Sequence, residues 1–227
     1  MGGGQLNLDA NLRSEPQMLM YQALARDLAR RRPGRLLDWG CGFGQVSALL
    51  RAEGVNVVAF DVRPGLVAPT RERLERFPEI EAHVSSDPVA LPFETDSFDT
   101  VLSCGVLEHV EDPDGSLDEL RRVLKPGGIF HVVNLPNRFS YTERIARLLG
   151  RYYHGQLPDD RVYTKRRARE LFERHGFELR EFRRAHMLPL TLGGPARPIW
   201  AASRALEHVP GLNLLATSLE LVAVSAD

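Results

Sequence analysis

What the chain lacks sets the first bounds. Only two cysteines occur in 227 residues, Cys41 and Cys104, so no disulfide framework is encoded and a reducing compartment is expected. No apolar run approaches the ~20 residues of a membrane-spanning helix. The opening Met1-Gly2-Gly3-Gly4-Gln5-Leu6 has neither the charged nor the apolar region of a signal peptide, and Leu6 stands where a myristoylation signal needs Ser or Thr. Formal net charge is only −1, which leaves no global basic footprint for nucleic acid. Repeats and low-complexity tracts are missing too. These absences predict a single cytoplasmic domain over 1–227, long enough for one substantial core. Its expected partner is a small molecule, with no nucleic acid and no membrane. Oligomeric state is not encoded in any readable way.

What charge there is lies unevenly. Ser85 to Glu119 holds ten Asp/Glu and no Lys/Arg, while Arg138 to His186 holds thirteen Lys/Arg against seven Asp/Glu. Two solvated faces would explain this. So would a site with an acidic side for a cationic ligand and a basic side for an anionic or polyhydroxylated one.

The chain is organised around Leu36 to Leu50, LLDWGCGFGQVSALL. Leu36 and Leu37 read as a short buried strand with Asp38 at its carboxyl end. Gly40-Cys41-Gly42-Phe43-Gly44 follows as a turn, and Val46, Leu49 and Leu50 then mark one face of a helix. Glycines at such a turn let the backbone approach a ligand, and the first N–H groups of the helix point at the same spot. A dinucleotide fingerprint needs G-x-G-x-x-G. Here the third glycine comes one place early and Gln45 holds the required position, while an acid precedes the turn to give D-x-G-x-G-x-G. An acid suits a cationic ligand and repels a diphosphate.

Ser14-Glu15-Pro16-Gln17 reads as the start of a helix over 14–32, with Leu19, Ala23, Leu24 and Leu28 on its apolar face. Val55 to Phe60 is a second strand with Asp61 at its end. An acid about 20 residues past a glycine turn can hydrogen-bond both ribose hydroxyls of a nucleoside. Leu66 to Phe77 is expected to be helical and Ile80 to Ser85 a short strand. Asp87, strand Thr100 to Cys104, a helix with Leu120, Val123 and Leu124, and strand Ile129 to Leu135 come next. Tyr141 to Leu149 is a further helix before a loop with Tyr152, Tyr153, His154 and Pro158. Thr164 caps a helix closed by His175-Gly176. Phe177 to Arg184 is a strand, His186 to Pro210 an irregular Pro/Gly-rich insertion holding Trp200, and Leu212 to Val224 the last strand. Alternating strands and helices predict an α/β doubly wound sheet, with ligands at the carboxyl ends of its strands.

The strings DWGCGFG, LPF…SFD…LEHV and RVLKPGG together resemble the class I S-adenosylmethionine (SAM) methyltransferases from Leu36 to Leu135. That resemblance implies a Rossmann-like sheet of seven mostly parallel strands, the last antiparallel and inserted between its two predecessors, with helices on both faces. It implies SAM as cofactor and S-adenosylhomocysteine as product. Cofactor contacts would come from Asp38, Gly40, Cys41, Gly42 and Gly44, from Asp61 with Val62 beside it, from Asp87 toward the adenine amino group, and from Cys104-Gly105. Segments 136–163 and 186–211 would be substrate-side insertions. The first helix would cover the site, which makes Arg13, Met18 and Tyr21 candidate lid residues.

Methyl transfer from a sulfonium is an in-line displacement in which alignment supplies much of the rate. A hydroxyl acceptor must also lose a proton, so a base is required. His109, just past the strand ending at Cys104, and His154, in the aromatic-rich insertion, are the candidates. Tyr152, Tyr153, Tyr163 and Trp200 can stack on a ring, and Arg138 or Arg161 can grip an anion. Some quinone-biosynthesis O-methyltransferases carry a metal-binding Glu-x-x-Glu-His at this place. Here Gly105 replaces the first acid and only Glu108-His109 remains, so no metal is assigned. No Asn/Asp-Pro-Pro-Tyr element of nucleic-acid methyltransferases occurs. The expected activity is therefore O-methylation of a sugar, quinone-like or other natural-product intermediate. Transfer to nitrogen or carbon, or a SAM-binding module without catalysis, are the alternatives.

Overall fold

The computed structural model describes residues 15–62, 80–150, 161–188 and 195–226. Helix α1 (Glu15–Arg30) leads into strand β1 (Arg35–Trp39), helix α2 (Gln45–Ala52) and strand β2 (Asn56–Asp61). Strands β3 (Glu81–Val84) and β4 (Phe98–Cys104) follow, then helix α3 (Pro113–Val123) and strand β5 (Leu124–Pro136). The chain continues through helices α4 (Tyr141–Leu148) and α5 (Lys165–Arg174), strand β6 (Phe177–Ala185), helix α6 (Ala196–Glu207), a short 3-10 turn (Leu212–Leu215) and strand β7 (Ser218–Ser225).

The seven strands form one sheet in the order β3-β2-β1-β4-β5-β7-β6. Pairings from β3 through β5 are parallel, and β7 lies antiparallel between β5 and β6, as the sequence resemblance implied. Central strands β1, β2 and β4 are buried along almost their whole length, which their continuous apolar runs require of a sheet covered on both faces. Helices α3 and α5 supply Leu117, Leu120, Leu171 and Phe172 to the core on one face. Helices α1 and α2 supply Ala25, Leu28, Val46 and Leu50 to the core on the other.

Helix starts follow local chemistry. The Asp112 carboxylate accepts from Gly115 N at 2.9 Å with Pro113 in the first turn, and Thr164 Oγ1 accepts from Arg167 N at 3.2 Å. Removing the first cap with Asp112→Ala is expected to cost about 1 kcal/mol. In a domain of this size that lowers Tm by about 2–4 °C in a thermal melt.

Four expectations change. Residues 186–210 are not irregular throughout: Ala196–Glu207 is helical, because the Gly/Pro cluster ends at Pro195, the N-cap, and Pro198 falls in the tolerant first turn. The last strand starts at Ser218 rather than Leu212, since Asn137 Nδ2 donates to the carbonyls of Leu214 and Ala216 at 3.0 and 2.7 Å and holds that stretch off the sheet. Strand β5 begins at Leu124, which pairs with Phe98 before a register shift, so Leu124 closes no helix. The buried face of α1 runs through Pro16, Met20, Ala25 and Leu28 and leaves Ala23 exposed. Arg13, Tyr152, Tyr153, His154, Pro158 and the expected helix Leu66 to Phe77 lie outside the described residues. Among the described residues no helix is long and apolar enough to cross a membrane.

Candidate active site

Chain order reverses between β1 and β4, the two strands that lie side by side after β3-β2-β1 has run outward. In open α/β sheets that switch point opens a crevice at the carboxyl ends. Here Asp38, Asp61 and Cys104 stand at the tips of β1, β2 and β4. The turn after β1 is fixed by Gly40 N and Cys41 N, which donate to Phe60 O at 2.8 and 2.9 Å, and by Gly44 N, which donates to Cys41 O at 2.9 Å. Gly40, Gly42 and Gly44 all have positive φ, from 55° to 75°, a conformation that L side chains resist. Gly44 then serves as N-cap of α2.

Two buried carboxylates face this turn. Asp61, 4% exposed, accepts from Gly42 N at 2.8 Å and so ties the second strand tip to the loop. Asp38, 1% exposed, accepts from Ser47 Oγ at 2.5 Å. Burial, only partly offset by the Ser47 hydrogen bond and reinforced by the Asp61 charge, raises the Asp38 pKa to about 6. A site that holds excess negative charge at this cost suits a cationic ligand and disfavours a diphosphate, so the donor set fits SAM. Burial likewise pushes the Tyr21 phenol and the Cys104 thiol up, with the charge of Asp38 adding to both. Tyr21 accepts from Gln17 Nε2 at 2.8 Å and packs, partly buried, against the core on the α1 face.

The unliganded fold keeps on Asp38 a proton that the unfolded chain has released between pH 3.8 and about 6, so this group weakens the fold as pH rises through that window. A bound ammonium would reverse this. S-adenosylhomocysteine binding is expected to release a proton near pH 6 and to weaken below it. Calorimetry in buffers of different ionisation enthalpy reads that proton directly. Ser47→Ala removes the carboxylate's hydrogen bond and should move the midpoint upward.

The other expected residues are spread more widely. Val62 packs, partly buried, against the core. Asp87 is exposed, its Oδ1 accepting from the N–H groups of Val89 and Ala90 at 2.9 Å each. Gly105 (φ 70°) follows Cys104 and donates to Val133 O at 3.0 Å. His109 has a half-exposed side chain, with Nε2 at 3.9 Å from the buried Glu108 carboxylate. Tyr163 is buried with its hydroxyl at 3.4 Å from Leu107 O. Arg161 spends its guanidinium on the carbonyls of Val110 and Glu111. Asn134 was missed. It sits in the β5 bulge with φ 64° and donates through Nδ2 to Cys104 Sγ at 3.6 Å. An asparagine at a strand's carboxyl end is a faint signal, and only the bulge gives it meaning.

A family model described as a methyltransferase domain matches residues 37–132. A demethylmenaquinone methyltransferase from Clavibacter sepedonicus is 46% identical over 94 residues, which cover 41% of this chain and 38% of that protein. A ubiquinone biosynthesis O-methyltransferase from Xanthomonas oryzae pv. oryzae is 38% identical over 114 residues, 50% of this chain and 46% of its own length. The chain thus matches less than half the length of these curated relatives. A solved SAM-dependent methyltransferase from Methanosarcina mazei superposes with a TM-score of 0.64 at 19% identity, covering 86% of this chain and 93% of that one, which speaks for the fold. The motifs, the sheet order and the match over residues 37–132 agree on a SAM-dependent methyltransferase domain of class I type, with SAM as the cofactor they support.

Proposed function

We propose that the protein moves the methyl group of SAM to a hydroxyl of a small ring-bearing molecule, such as a quinone precursor, another natural-product intermediate or a saccharide. The observation that carries this reading is the pair of buried carboxylates, Asp38 and Asp61, at adjacent strand tips around a positive-φ glycine turn. In this reading Asp61 clasps the ribose hydroxyls while Asp38 and the turn receive the amino-acid end. Cys104 and Gly105 line the far wall, and Asp87 meets the adenine. SAM supplies an electrophilic methyl on a good leaving group. The chain's own work is to orient, to exclude water through α1, and to hold the acceptor in line. The O-methyl assignment draws support from the name of the Xanthomonas relative, and the ring from the quinone-type names of both relatives.

Calorimetry with SAM and S-adenosylhomocysteine beside NAD and NADP tests the cofactor, and binding of the nicotinamides alone would reverse the reading. Extracts incubated with enzyme and methyl-labelled SAM, followed by mass spectrometry, test the acceptor. Label recovered on a hydroxyl oxygen supports the proposal, and label only on nitrogen or carbon refutes it.

A further inference from the structure

A second polar centre lies on the sheet face covered by α1 and α6. A cavity of about 500 Å3 opens there, with Met20 and Leu24 on the α1 side, Trp200 and Arg204 on the α6 side, and His131 and Glu220 on the sheet. Its volume falls within the range of small-molecule sites. His186 lines it, 3% exposed; its Nδ1 has no hydrogen-bond partner, and its Nε2 faces only the Glu220 carboxylate. A ring nitrogen buried without a partner loses its hydration for nothing in return, which calls for an explanation.

The rest of His186 is firmly held. Its backbone N donates to the buried Glu207 Oε1 at 2.9 Å, and its carbonyl accepts from Thr217 N and Oγ1 at 2.9 and 2.8 Å. Its φ is 63°, a left-handed conformation that costs a non-glycine residue about 1–3 kcal/mol. Nε2 lies 3.4 Å from Glu220 Oε1, while Glu220 Oε2 takes the Arg183 guanidinium. A carboxylate beside one ring nitrogen, with the other nitrogen buried and unpartnered at the cavity wall, is the arrangement of an oriented base. Trp200 stands beside the ring, with centroids 6.1 Å apart.

The register sets the height of this pair. Leu219 and Leu221 pair with Leu135 and Val132, so Glu220 lies opposite the bulge at Val133-Asn134, and Val133 pairs with Cys104. The Glu220 charge is indeed felt at the Cys104 thiol. The Glu220 and Val133 end of the cavity thus lies beside the β5 bulge, one strand from Cys104 at the tip of β4.

We propose that this cavity receives the methyl acceptor and that His186, oriented by Glu220, is the base that takes the acceptor's hydroxyl proton. This rests on the O-methyl reading above. The hydroxyl proton passes to Nδ1, and the oxygen forms its bond to the methyl carbon. The carbon–sulfur bond breaks with its electron pair left on sulfur, and Glu220 offsets the imidazolium charge. Trp200 offers a face for a ring, and Arg204 has N–H groups left for an acidic substituent. The acceptor class is therefore a hydroxylated aromatic acid.

The probe is 3,4-dihydroxybenzoate, titrated into histidine-15N-labelled full-length protein saturated with S-adenosylhomocysteine. The His186 ring resonances should move and Trp200 fluorescence should change. His186→Asn tolerates the left-handed backbone but removes the base. It should lower kcat by about 100-fold, a typical size for a general base, with S-adenosylhomocysteine affinity unchanged. His208→Asn, exposed at the end of α6, serves as control. Methylation of the probe without movement of His186 overturns the pocket. A His186→Asn enzyme that keeps wild-type kcat overturns the base. Both results leave the O-methyl reading standing. If the wild type methylates no hydroxyl, on this probe or in labelled extracts, the two fall together.

Discussion

Asp61→Ala is expected to weaken S-adenosylhomocysteine binding by about 100- to 1,000-fold, the equivalent of about 3–4 kcal/mol for charge-assisted hydrogen bonds removed from an enclosed site. Two losses combine. The ribose clasp proposed above disappears, and Gly42 N loses the carboxylate that holds the turn at 2.8 Å. Asp61→Asn separates them, because its amide oxygen can still accept from Gly42 N. It should recover the loop but only part of the affinity. Calorimetry beside a thermal melt makes the distinction. A wild-type affinity in Asp61→Ala would remove the second strand tip from the cofactor site.

The second large effect belongs to Gly40. An added Cβ would sit 2.7 Å from Val106 Cγ1 and closer still to Cγ2, on a backbone with φ 75°. Left-handed strain of about 1–2 kcal/mol and overpacking of about 1–3 kcal/mol then add. Gly40→Ala should therefore lower Tm by about 5 °C or more at about 2–4 °C per kcal/mol. Val106→Ala in the same chain clears both methyl groups but leaves φ untouched. The double variant should regain the steric share alone. Full recovery, or none, in the melt would show that one of the two causes has been misjudged.

These two positions were readable from the sequence, and the reason is local. Asp38, the three glycines and Asp61 sit on consecutive strand tips within one β-α-β unit, so short-range spacing alone brings them together. The sheet was readable for the same reason, since buried parallel strands are written as continuous apolar runs. What depended on long-range pairing was not. His186 read only as the first residue of an irregular insertion. Its importance comes from Glu220, 34 positions later, and from α6, whose helical pattern was hidden by the Gly and Pro residues before it. His109 met the sequence criteria by standing next to Cys104-Gly105, yet half of its side chain faces solvent.

The place of β7 has a consequence for how the molecule is made. Among the described residues, strand β6 pairs in the sheet only through β7, and β5 reaches β6 only across it. A ribosome delivers β5 and β6 before the residues that join them. Until Ser218 to Ser225 emerge, the newborn sheet carries a raw edge along β5, and β6 has no partner. Such edges invite neighbouring chains. The slot filled last is also the one that brings Glu220 to His186, so the newborn chain can assemble its β1–β4 half before the second polar centre exists.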